Sequence, residues 1–103
     1  MAFECTIPAR STIQQDGELV RITRWDFDPG AVTGWHRHAW PYFVIMLYDG
    51  TLRVHDGTKA VDVHLKAGES YSRGSGIEHD VMNGSSHPIA FIEIEVKSPS
   101  LLR

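Results

Sequence analysis

The feature that most constrains this chain is its punctuation. Turn signals recur at short intervals, at Asp28-Pro29-Gly30, Asp49-Gly50, Asp56-Gly57, Lys66-Ala67-Gly68, Gly74-Ser75-Gly76 and Asn83-Gly84. Proline presets φ, glycine accepts φ > 0, and Asp-Gly or Asn-Gly between apolar runs is a strong hairpin signal. The stretches between these turns alternate instead of repeating with a helical period. Val61, Val63 and Leu65 interleave with Asp62, His64 and Lys66, and Ala90, Ile92, Ile94 and Val96 interleave with Glu93 and Glu95. This pattern predicts strands over 18–27, 31–38, 42–48, 51–55, 59–65, 69–73, 78–82 and 89–96, hence an all-β sandwich or barrel. Near the N-terminus, Phe3, Cys5 and Ile7 alternate as a short first strand that Pro8 interrupts, and 14–17 reads as a turn. A shift of apolar phase between Val20/Ile22 and Trp25/Phe27 predicts a bulge or bend.

At 103 residues and 42% hydrophobic content the chain makes one domain able to bury a core, with 1–17 as an arm and 97–103 as a tail. The formal charge of −3 is scattered without a basic stripe, which argues against a nucleic-acid partner. The longest apolar stretch, 41–48, is far short of the roughly 18 residues of a membrane span. Cys5 is the only cysteine, which excludes an internal disulfide and suits a reducing compartment. With no basic segment and apolar run at the start, a soluble cytoplasmic protein is expected.

Two stretches carry chemistry. In Gly34-Trp35-His36-Arg37-His38 the imidazoles stand one residue apart, so on a strand they point the same way and Trp35 and Arg37 point the other. In Gly76-Ile77-Glu78-His79-Asp80 a third histidine sits in its own turn-rich frame, with Glu78 and Asp80 expected to project outward. If the stretches meet, they form a three-imidazole metal site. A pair of histidines at i, i+2 is otherwise often a solvated face. His55, His64 and His87, near turns, are best read as surface imidazoles. No G-x-S-x-G elbow supports a triad, and no Lys-Ser/Thr follows Gly74 and Gly76 to make a phosphate loop.

The two stretches resemble the paired motifs of the cupin superfamily. The first motif, G-x5-H-x-H-x3,4-E-x6-G, is matched in frame by Gly30, His36, His38, Phe43 and Gly50. The second, G-x5-P-x-G-x2-H-x3-N, is matched by Gly68, Gly74, Gly76, His79 and Asn83, with glycine in place of proline. Motif 1 spans 30–50 and motif 2 spans 68–83, so the match covers more than half the chain. The surrounding wording is similar to short bacterial cupins, some of them named for β-alanine degradation. The resemblance implies a cupin-type double-stranded β-helix, a jelly-roll barrel. It also implies a metal site of His36, His38 and His79 without the usual glutamate, because Phe43 occupies that position with Tyr42 and Pro41 before it.

Three neutral imidazoles hold Zn, Fe, Ni, Mn or Cu and leave positions open for water or substrate. Without a carboxylate the ion keeps its full charge, so an anionic oxygen ligand is favoured. The expected ligand is a small carboxylate or enolisable molecule, and the expected chemistry dioxygenase-like or hydrolytic. The alternatives are a cupin that binds metal or ligand without turnover, and a metal-free barrel. Trp40, Tyr42 and Phe43 are candidate pocket residues, Tyr42 also a fourth ligand or a donor beside the ion. Apolar positions in 90–96 with Leu101-Leu102 suggest a homodimer.

Overall fold

In the computed structural model, which describes residues 7–98, nine strands follow one another with no helix between them. They are β1 (Arg10–Asp16), β2 (Val20–Phe27), β3 (His36–Arg37), β4 (Tyr42–Met46), β5 (Gly50–His55), β6 (Ala60–Leu65), β7 (Ser70–Arg73), β8 (Glu78–Asn83) and β9 (Ile89–Val96). All ladders are antiparallel, in two sheets ordered β1-β2-β9-β4-β7 and β3-β8-β5-β6. Apart from the β1–β2 and β5–β6 hairpins, chain neighbours are thus dealt to opposite sheets, as in a jelly roll. No helix of the described residues is long and apolar enough to cross a membrane.

Between the sheets lies a core of Phe27, Ala31, Tyr42, Val44, Met46, Leu52, Val81, Ile89 and Phe91, all buried. Opposed residues in a ladder project to one face, so the register sorts the larger sheet. One inner row reads Thr23–Glu93–Val44–Tyr71, and the next reads Arg21–Glu95–Tyr42–Arg73. The corresponding outer row is Ile22–Ile94–Phe43–Ser72. The two glutamates of β9 therefore face the interior while Ile92 and Ile94 face out, the reverse of what burial by hydropathy alone would assign.

The N-terminal part departs from the sequence reading. Phe3 and Cys5 lie outside the described residues, and the first strand is β1, which includes residues read as a turn. The phase shift in β2 is not a bulge of that strand, whose pairing with β9 is unbroken; the irregularity falls in β1, between Ile13 and Gln15. β2 shows apolar residues in both phases because Phe27 packs in the core while Ile22 joins the apolar outer row. Residues 31–38 form no continuous strand. Only β3 and two isolated bridges at Val32, to Pro8 and Met82, remain, separated by a bend at Gly34 (φ 87°) that glycine adopts without strain.

Candidate metal centre

The two histidine stretches are sewn together by backbone. His36 lies directly opposite His79 in the β3–β8 ladder. Just beyond β3, the His38 N–H donates to the Ile77 carbonyl (2.9 Å) and the His38 carbonyl accepts from the Gly76 N–H (2.8 Å). Gly76 makes this turn at φ 89°. The Nε2 atoms then converge: His36 to His38 is 3.0 Å and His38 to His79 is 3.0 Å. His38 and His79 are buried and His36 half-buried.

The surroundings orient these rings. The Gly34 carbonyl is 2.8 Å from His36 Nδ1, so Nδ1–H donates there and the Nε2 lone pair faces its neighbours. Asp80, 1% exposed, accepts from the Gly34 N–H (3.1 Å) and the Thr33 hydroxyl (3.5 Å), fastening the bend that carries this carbonyl. The expectation that Asp80 projects outward is thus corrected. Its parity differs from that of His79, but the 31–38 segment folds over that side of β8 and covers it. Glu78, Trp35 and Arg37 are exposed.

Burial, and next the neighbouring His36, lower the His38 pKa to about 4. Burial, then His36, His38 and Arg73, lower that of His79 to about 3. Both rings are neutral at pH 7, the form that ligates a metal. Two nitrogens each about 2.1 Å from a common ion and at a right angle are about 3 Å apart, so the observed convergence fits a divalent transition metal. Cupin-type metal binding by His36, His38 and His79 is compatible with every one of these contacts.

Of the pocket candidates only Tyr42 faces the site. Its ring stacks on His38 (3.8 Å between centroids, 18° between planes), and its buried hydroxyl has no hydrogen-bond partner among the described residues. Burial, with lesser contributions from Tyr71 and Glu93, pushes that hydroxyl well above its usual range, so it stays a neutral donor. Phe43 is 46% exposed on the outer row, because adjacent strand positions face opposite ways, and is corrected as a pocket residue. Trp40 is corrected too: it packs against Arg21 and Lys97 and lines neither cavity beside the histidines. His55, His64 and His87 bond locally to the Gly57 N–H, the Thr51 hydroxyl and the Asp49 carbonyl, away from the cluster.

The sequence reading missed two carboxylates. Side-chain ligand atoms of His38, Glu93 and Glu95 lie within 4.8 Å of one another. Burial first, and the like charge of Glu95 next, raise the Glu93 pKa to about 7; the nearby Trp25 indole tempers this without closing a regular hydrogen bond. Two glutamates in a strand otherwise built of isoleucine, alanine, phenylalanine and valine were the available signal. Two cavities of about 40 Å³ each flank Tyr42 and His79, one reaching Glu93 and Trp25, the other Arg73.

The family model described as a cupin domain matches residues 23–95. The chain is 44% identical over 86 residues to the β-alanine degradation protein BauB of Pseudomonas aeruginosa, covering 84% of this chain and 90% of that one. It superimposes on the crystal structure of a cupin domain from Bordetella pertussis with TM-score 0.85 and 40% identity, covering 93% and 99% of the two chains. The polyketide cyclase RemF of Streptomyces resistomycificus, 19% identical with TM-score 0.67 over 89% of this chain and 70% of its own, shares the fold.

Proposed function

The chain belongs to the cupin family, and on that footing we propose that it holds one divalent transition metal through His36, His38 and His79 and acts there on a small carboxylate or enolisable molecule. The observation that carries this reading is the meeting of three Nε2 atoms, that of His38 3.0 Å from each of the other two, with the Gly34 carbonyl orienting the His36 lone pair inward. A bound metal would supply Lewis-acid or redox chemistry, which suits dioxygenase-like or hydrolytic turnover. Around it, the chain contributes a neutral hydroxyl donor at Tyr42 and, at Glu93, a buried carboxyl that can take or give a proton near pH 7. These two groups favour turnover over simple storage. Binding without turnover is the alternative. The name of the P. aeruginosa relative makes β-alanine and three-carbon acids the first probes.

Elemental analysis of protein purified without chelator tests the metal. Roughly one ion per chain is expected, and His79→Ala should lose it while keeping the β circular-dichroism spectrum. Equal metal in wild type and variant would end this reading. Oxygen uptake by the iron-loaded protein with a panel of small acids then separates turnover from binding. We also propose a cytoplasmic homodimer, supported by the lone cysteine and by the apolar outer row.

A further inference from the structure

The cavity on the β7 side of Tyr42 joins His79 to an apolar wall of Leu52, Val54 and Val63, and one charged residue, Arg73, lines it. Tyr42 and Arg73 are directly opposed in the β4–β7 ladder, so both side chains rise from the inner face. Among the described residues, Arg10, Arg21, Arg24 and Arg53 each pair with an aspartate. Arg73 has no such carboxylate. Its guanidinium lies 4.8 Å from the centre of the Tyr71 ring, and its hydrogen bond goes to the Ser72 carbonyl (2.8 Å). That leaves most of its five N–H donors for something else. The other donor is the Tyr42 hydroxyl, which has no hydrogen-bond partner among the described residues and sits on a residue 1% exposed that lines the same cavity. Glu95 flanks Tyr42 on the β9 side of the same row, with Arg21 and Lys97 as its neighbouring cations.

A guanidinium with no carboxylate partner and a buried hydroxyl beside a small apolar chamber are complementary to an oxyanion with a short hydrocarbon tail. We propose that Arg73 and the Tyr42 hydroxyl hold the carboxylate of a small monocarboxylic acid, its tail against Leu52, Val54 and Val63 and next to His79. A chamber of about 40 Å³ takes about three water-sized positions, which limits the tail to two or three carbons. Arg73 is thus the residue that selects a carboxylate. The inference deepens the function proposed above, since it takes the cavity beside His79 as the ligand's, but it does not require an ion to be present.

Propionate is the probe and propionamide its uncharged counterpart. Each is titrated into the purified protein, as isolated and after chelation, and followed by NMR shifts of the cavity residues. Wild type is expected to saturate with propionate and to bind propionamide about tenfold more weakly or worse. Arg73→Gln is expected to lose about tenfold or more for propionate with its metal content unchanged, and Arg73→Lys to retain part of the affinity. Tyr42→Phe is expected to weaken propionate by a smaller factor. No saturation by propionate, equal binding of acid and amide, or an Arg73→Gln affinity like wild type would each overturn the proposal. If Arg73→Gln does not fold, the acid–amide comparison and Arg73→Lys decide. Propionate binding that vanishes on chelation yet ignores Arg73 would refute this inference and leave the metal reading intact. Arginine-dependent binding in a protein that carries no metal would do the reverse.

Discussion

Asp80 is the residue whose placement matters most beyond the histidines. Its carboxylate is buried where it accepts from the Gly34 N–H, and Gly34 in turn supplies the carbonyl that sets the His36 tautomer. Removing such an orienting group typically costs about 10–100-fold in metal affinity. Asp80→Ala should therefore weaken metal binding by about that factor in a chelator-competition assay while His36, His38 and His79 remain present. An unchanged affinity would mean that the bend holds its shape without the carboxylate. This residue was not legible from sequence: alternation gives the face of a strand on which a side chain lies, not whether another segment covers that face.

At the scale of elements, the site depends on β3 and β8 being held together, and β8 is anchored to the barrel through β5. Gly50 opens β5 under the Ile89 side chain, and a Cβ there would meet Ile89 Cγ2 at 2.6 Å. Ile89 is 1% exposed and cannot swing away freely. Gly50→Ala should cost about 1–3 kcal/mol of stability by denaturant titration, and a neutral result would show that the β5–β9 contact yields. On the opposite sheet the outer row Ile22–Ile94–Phe43 is an apolar strip, and the exposed strand β1 leaves one edge of that sheet unpaired among the described residues. Sedimentation at micromolar concentration should give the mass of two chains, and Phe43→Glu should shift it toward one. A wild type that sediments as one chain would refute the dimer.

The whole molecule carries opposed proton balances around one cavity. The folded-state pKa values of His38 and His79 fall from 6.5 to about 4 and about 3. Their contribution to stability is full above 6.5 and is lost as pH falls toward those values. Glu93 has the other sign: raised from 4.5 to about 7, it contributes stability below 4.5 that is lost as pH rises through 7. In chelator-treated protein Glu93→Gln should therefore gain in Tm relative to wild type on going from pH 5 to pH 8. Parallel Tm profiles for the two proteins would exclude a buried titrating carboxyl.

The turns, the strand alternation and the spacing of His36, His38 and His79 lay in the sequence because each depends on local rules: φ at glycine, two-residue periodicity, and a motif frame short enough to read. The histidines converge as that frame implied. Tertiary structure alone decided which side of each strand became the interior. It turned Tyr42 inward and Phe43 out, put Glu93 and Arg73 on the cavity side of the two strands that flank β4, and covered Asp80 with a segment forty-odd residues away. Those outcomes follow from register between distant strands and from closure of the barrel, and neither leaves a local mark on the chain.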